Sequence, residues 1–281
     1  MLPKLFVFAH FEEARPFLNT FPAKLHFQLK TIQCYYSEEN NVYILITGSG
    51  FFNISVALSV FFERYAYLKK DILTFNIGIA GSFNKDLYQV FYISKITNYH
   101  TLHSFYPDVF IPFPIAELVS IEFPANKKIM AAYPDALFDM EGYAFATASK
   151  FFLKNHQIHC IKFVSDNDGC IQDMDELLNR YELSANSMLS MVQQIEKEVQ
   201  AYFKKEENFD EEVQNIVSKW SEKLHLTHSQ KIQLHKALMY CKQHNKNVDF
   251  IHSLNFGDTK KISKHKRNKY FQNILKQLYY V

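Results

Sequence analysis

Glycine is so scarce in this chain that its few positions mark where the backbone must turn tightly or run close to something else. Seven glycines serve 281 residues, and six of them fall in four short clusters between residues 48 and 169. Typical usage of roughly 7% would supply about 20. A glycine kept against such scarcity marks a positive φ or a spot where a Cβ has no room. The clusters are Thr47-Gly48-Ser49-Gly50, Asn76-Ile77-Gly78-Ile79-Ala80-Gly81, Asp139-Met140-Glu141-Gly142 and Ser165-Asp166-Asn167-Asp168-Gly169. Each follows a short run rich in Ile, Val, Leu or Phe, the layout of a small-molecule site built from loops at strand ends.

The apolar runs predict strands at about 4–9, 31–38, 42–48, 71–80, 90–98, 117–123, 135–141 and 159–165. Val42-Tyr43-Ile44-Leu45-Ile46 and Leu73-Thr74-Phe75-Asn76-Ile77 lack clean alternation, which suits strands covered on both faces. Helical spacing recurs between strands: from Asn53 to about Tyr67, from Gly142 to Asn155, and over about 182–206. Strands alternating with helices predict an α/β fold, a three-layer domain over residues 1–200 with a central mixed sheet flanked by helices. Ligands in such folds bind at the carboxyl ends of strands, where the glycine clusters lie.

Beyond residue 200 the pattern changes. Val213, Ile216, Val217, Trp220 and Leu224 recur at helical spacing, and Thr227-His228-Ser229-Gln230 resembles a capping box opening a second helix. A third starts at about Lys264, so residues 201–281 read as a C-terminal helical extension. Charge separates the same two stretches. Residues 1–200 hold 16 Lys+Arg against 21 Asp+Glu, while residues 201–281 hold 15 against 8. The apolar stripes of the extension predict docking on the α/β domain or a neighbouring subunit. The basic run Lys260–Lys269 reads as a solvated helix face or loop rather than a nucleic-acid site.

Cys34, Cys160, Cys170 and Cys241 are widely spaced, with no CxxC pair, and the twelve His form no HExxH arrangement. Reduced thiols and no metal are expected. The apolar run Leu5–Ala9 is too short for a signal segment, and no stretch reaches the ~20 apolar residues of a membrane span. A cytoplasmic protein with no membrane association is the expectation.

Three carboxylates are hard to explain structurally. Glu13 follows the first strand, Glu141 ends another and Asp166 ends a third. Acids at the tips of buried strands are costly to desolvate unless paired, hydrogen-bonded or protonated. A helix N-cap or first-turn acid is the plain alternative for each.

These residues carry a resemblance. Glu12-Glu13-Ala14-Arg15-Pro16, Gly48-Ser49-Gly50, Asn76–Gly81, Asp139–Gly142 and Ser165-Asp166 occur in the order seen in the purine nucleoside phosphorylase/nucleosidase superfamily. The chain is most similar to its 5′-methylthioadenosine/S-adenosylhomocysteine nucleosidase branch, over about residues 3–200. The resemblance implies a purine nucleoside as substrate, no cofactor, and a homo-oligomer, a dimer or larger. It implies Asp166 as the acid facing purine N7, with Ser165 orienting it. It further implies Glu141 as acceptor for the ribose hydroxyls with Met140 packing on the sugar, and Glu13 as the carboxylate that activates water. Gly78, Ile79, Ala80, Gly81 and Gly50 would bring backbone close to the ligand. The chain departs from the pattern at Ile79, where a Ser is usual, and at Lys162, where an Arg is usual. Phe123, Tyr133 and Phe138 are candidates for stacking on the base.

The nucleophile separates two enzyme readings. Phosphorylases place arginines on phosphate, one of them in the strand leading into the Gly-x-x-Gly cluster, and this chain has Phe75-Asn76 there. Water is therefore the expected nucleophile, which makes the chain an N-glycosyl hydrolase. A nucleoside phosphorylase, or a catalytically weak nucleoside-binding regulatory module, is the alternative.

Overall fold

Alternation along the first strand organises the α/β fold. In β1 (Lys4–Phe8) every residue is buried, but successive side chains serve opposite layers. Leu5 and Val7 join a core with Ile54, Ala57, Phe61 and Phe145, contributed by α2 (Phe51–Arg64) and α4 (Gly142–Lys150), between which the chain forms the short α3 (Lys127–Ala132). Phe6 and Phe8 instead pack edge-on or tilted against Phe17 of α1 (Phe11–Thr20) at 5.7 and 4.9 Å between ring centroids. A sheet buried on both faces between helices results, and such strands show no polar–apolar alternation.

The chain is described by a computed structural model covering residues 1–110, 112–243, 246 and 263–280, with the side chains of 203–210, 242, 243 and 280 excepted. The remaining strands are β2 (Lys24–Leu29), β3 (Ile32–Ser37), β4 (Val42–Ile46), β5 (Leu73–Ser82), β6 (Val90–Asn98), β7 (Ser104–Phe105), β8 (Ile115–Ser120), β9 (Leu137–Asp139) and β10 (Ile158–Asp166). All ten form one mixed sheet. β4, β1, β5 and β10 are neighbours running parallel, so their carboxyl ends gather at one edge. β5 also pairs antiparallel with β9, and β10 continues through β6 and β8 back to β9. Half of the sheet therefore closes into a ring hinged on β5. The expected three-layer α/β arrangement is present, and the ring closure adds to it.

The chain divides into two compact units, Met1–Val199 and Gln200–Val281, with α5 (Met174–Leu224) running across the division. The two helical stretches expected on either side of residue 206 are this single helix. In the second unit, Val213, Ile216, Trp220 and Leu224 of α5 are buried together with Leu234, Leu238 and Cys241 of α6 (His228–Gln243) and Phe271, Ile274 and Leu278 of α7 (Lys264–Tyr280). The expectation that these stripes need an outside surface is corrected, because three helices at 3–4-residue spacing cover one another. α6 opens on the expected capping box: Gln230 N–H donates to Thr227 Oγ1 at 3.3 Å, and Thr227 N–H donates to Gln230 Oε1 at 2.9 Å. Of the basic run, residues 260–262 lie outside the described residues, and Lys264, Lys266 and Lys269 are exposed in the first turns of α7. Among the described residues no helix is long and apolar enough to cross a membrane.

Candidate active site

At the carboxyl edge of β1, β5 and β10 lies a cavity of about 330 Å³, within the size of small-molecule sites. Its walls include Glu13, Ile79, Ala80, Gly81, Met140, Glu141, Ser165 and Asp166, eight of the ten site residues expected from the sequence. The remaining two, Gly78 and Gly50, do not line it, but Gly50 donates its N–H to Glu141 and Gly78 leaves room for Glu13, both of which do.

Glu13 enters from the first turn of α1. It is 6% exposed, and both its oxygens are engaged by backbone. Its Oε2 accepts from His10 N–H at 3.0 Å, and its Oε1 accepts from Ile79 N–H at 3.0 Å. The first bond is the ordinary capping of a helix start by an acid in its first turn. The second reaches 66 residues along the chain, to the middle of β5. Capping alone does not require it. Gly78 makes it possible, since a Cβ there would stand 2.8 Å from Glu13 Oε1.

Glu141 occupies the N-cap position of α4, but its side chain makes no cap bond. Its Oε1 instead accepts from Gly50 N–H at 2.7 Å. Gly50 has φ +93°, a conformation that strains any side-chain-bearing residue, and in it the amide points at the carboxylate. Burial is the main cause that pushes the Glu141 carboxyl up, to about 7, and the charge of Asp139 adds to it. Lys162 and the Gly50 amide work in the opposite direction.

Behind Glu141, Lys162 of β10 and Asp139 of β9 form an ion pair at 2.9 Å, with side chains only 2% and 1% exposed. Burial opposes the charge on Lys162, yet the neighbouring carboxylates, Asp139 foremost, outweigh it and raise its pKa. Asp139 also accepts from Ser120 Oγ at 2.6 Å and from Gly142 N–H at 2.8 Å. Such bonding is what a buried pair requires. Asp139 was not singled out from the sequence. The signal was a lysine inside Ile161-Lys162-Phe163-Val164, a buried cation that demands a counter-ion.

Asp166 closes β10, where a register irregularity brings it opposite Gly81. Ser165 Oγ donates to its Oδ1 at 2.7 Å, and Gly169 N–H donates to its Oδ2 at 2.6 Å. The wall on this side is apolar: Ile121, Pro124, Ala125, Met130, Phe138 and Ile171. Of the three aromatics proposed for stacking, Phe138 lines the cavity. Phe123 and Tyr133 do not, being 44% and 37% exposed. His10 and Ser49 also line it.

No protein-family model matches the chain, and no curated protein matches it in sequence. Solved structures do match. A Campylobacter jejuni 5′-methylthioadenosine/S-adenosylhomocysteine nucleosidase aligns with TM-score 0.57 at 17% identity, over 68% of this chain and 99% of its own. An Arabidopsis thaliana 5′-methylthioadenosine nucleosidase aligns with TM-score 0.56 at 16% identity, over 68% and 96%. A Helicobacter pylori nucleosidase variant with 5′-methylthioadenosine in its active site aligns with TM-score 0.57 at 15% identity, over 69% and 99%. At these identities the likeness is one of fold, the fold shared with these nucleosidases.

Proposed function

We propose that this chain is a purine-nucleoside N-ribohydrolase, cleaving the N-glycosidic bond of a methylthioadenosine- or adenosylhomocysteine-like nucleoside with water. The observation that carries the reading is the meeting of Glu13, Glu141 and Asp166, from three distant stretches of chain, around one cavity. Rupture of an N-glycosidic bond leaves positive charge on the sugar and negative charge on the departing purine. In this reading Asp166, held by Ser165 and Gly169, faces N7 of the leaving base and protonates or hydrogen-bonds it. Glu141 accepts hydrogen bonds from the ribose hydroxyls in its ionised form. Glu13 takes one backbone donor on each oxygen and keeps lone pairs for a water, which it activates as general base. Proton transfers of this kind contribute about 10²–10⁴-fold each.

Charge favours water over phosphate as nucleophile. Among the described residues lining the cavity are four carboxylates (Glu13, Asp139, Glu141 and Asp166) and no Lys or Arg. Phosphate recognition rests on bidentate Arg or on Lys, whereas Lys162 is occupied by Asp139 and Arg15 is exposed on α1.

The test is a panel of purine nucleosides assayed with and without inorganic phosphate. Free ribose or a 5′-substituted ribose is the expected product, at a rate indifferent to phosphate. A sugar 1-phosphate as main product would make the protein a phosphorylase. On a cleaved nucleoside, Asp166→Asn should reduce turnover by at least ~10² with folding retained, and an active Asn variant would remove Asp166 from its role. Size measurement in solution tests the expected homo-oligomer.

A further inference from the structure

The cavity holds two polar side chains that the reaction above leaves unused. His10 follows β1 and Ser49 follows β4. The parallel ladder of these strands continues through Thr47 N–H to Phe8 O at 2.9 Å and Gly48 N–H to Ala9 O at 3.0 Å. That continuation delivers His10 and Ser49 side by side, with His10 Nε2 and Ser49 Oγ 2.8 Å apart. Both line the cavity.

Their position relative to the carboxylates is fixed by backbone. The amide of His10 holds Glu13, and the amide of Gly50, next to Ser49, holds Glu141. The pair therefore borders both Glu141, assigned to the ribose hydroxyls, and Glu13, assigned to the attacking water. Asp166 and the apolar wall belong to the other end. Asp166 stands against Gly81, two residues along β5 from the Ile79 amide that holds Glu13, a separation of roughly 7 Å. With the base against Asp166 and the ribose hydroxyls on Glu141, the sugar substituent left to meet His10 and Ser49 is the one on C4′.

We infer that the His10–Ser49 pair is a specificity element for the 5′ position, and that the substrate carries a hydrogen-bonding 5′ group, a hydroxyl, rather than an alkylthio chain. The His10 ring accepts the backbone N–H of Glu13 in the capping box of α1 and meets Ser49 Oγ through Nε2, so the imidazole orients the hydroxyl and the remaining capacity of the Ser49 oxygen is left to meet a ligand. A 5′-hydroxyl can accept from or donate to the oriented Ser49 hydroxyl, while an apolar 5′ group leaves it unsatisfied. Sites that hydrogen-bond a substrate hydroxyl discriminate against analogues lacking it. At a solvent-exposed mouth, where His10 lies, the effect expected is about tenfold. The inference rests on the nucleosidase reading for the scissile bond and departs from the methylthioadenosine type at the 5′ group.

The experiment compares kcat/KM of the full chain for adenosine and 5′-deoxyadenosine, and for inosine and 5′-deoxyinosine, with methylthioadenosine alongside. The parent protein should favour the 5′-hydroxyl member of a pair by at least ~10-fold. Ser49→Ala and His10→Met should each move that ratio toward one. Equal handling of each pair by the parent, preference for methylthioadenosine, or a ratio unmoved in both variants overturns the inference while leaving the hydrolase reading intact. Absence of any cleavage overturns the hydrolase reading instead. Calorimetric titration with the same pairs then applies the same ratio test to binding.

Discussion

Trp220 in the helical unit and Lys162 in the α/β unit are both large side chains fully withdrawn from water. Trp220 lies among Val213, Ile216, Leu224, Leu234 and Phe271, and removing such apolar surface from water is itself the stabilising event. Lys162 lies against Asp139, which Ser120 and Gly142 hold in place. Here desolvation is a cost that the pair and its hydrogen bonds offset. The helical interior is explained by stability. The interior behind the cavity is not, since well-packed apolar residues would serve stability as well or better. The retained charges act on Glu141, whose carboxyl Asp139 pushes up and Lys162 pulls down.

Replacing each residue should separate the two roles. Lys162→Met leaves Asp139 buried without its partner and should cost about 3–5 kcal/mol, read as a shift of the denaturation midpoint. The double variant Lys162→Met/Asp139→Leu should recover much of that stability but not nucleoside cleavage. Recovery of both would reduce the pair to scaffolding. Trp220→Ala should remove about 3–5 kcal/mol from the helical unit, seen by calorimetry, with turnover per folded molecule unchanged.

Gly78→Ala probes the same contrast on a finer scale. Its Cβ would crowd Glu13 Oε1 and displace the carboxylate. Turnover should fall by up to about 10², as a misplaced group can cause, with little loss of stability. An active, stable Ala variant would mean that Glu13 needs no such placement.

The smallest effect expected is on pH dependence. The Glu141 carboxyl is raised from an ordinary 4.5 to about 7, chiefly by burial. Between those values the folded protein binds more protons than the unfolded one, so stability falls as pH rises through about 4.5–7 and levels above. Binding of ribose hydroxyls needs the ionised form, so KM should fall about tenfold between pH 6 and 8. Glu141→Gln should abolish both trends, and a wild-type KM flat over that range would contradict the assignment.

Legibility followed burial. Strands β1, β3, β4, β5, β6, β8, β9 and β10 stand where apolar runs predicted them, because their side chains enter a core. β2 was missed because its side chains are mostly exposed, which leaves an edge strand without a pattern. α1 was missed because it is short and carries Pro16 inside it. At the cavity, the acids and glycines stood out as types that a strand end does not ordinarily hold. Ser49 carried no such mark, since a serine is unremarkable in a loop, and a histidine at a strand end, such as His10, is ordinarily just half-buried.

From residues alone came the α/β alternation, the helical character of the stretch beyond 200, and the suspicion attached to Glu13, Glu141 and Asp166. All three are matters of local periodicity or of a charge placed where desolvation is costly, and both are written in sequence. Which groups share a cavity was decided only in three dimensions. Strand order set β1 between β4 and β5, and the closure of β9 and β10 onto β5 brought Asp139 to Lys162 and Glu141 to Gly50. Those pairings join residues up to 91 positions apart, and hydrogen bonds between such distant groups leave no periodic trace in the chain that forms them.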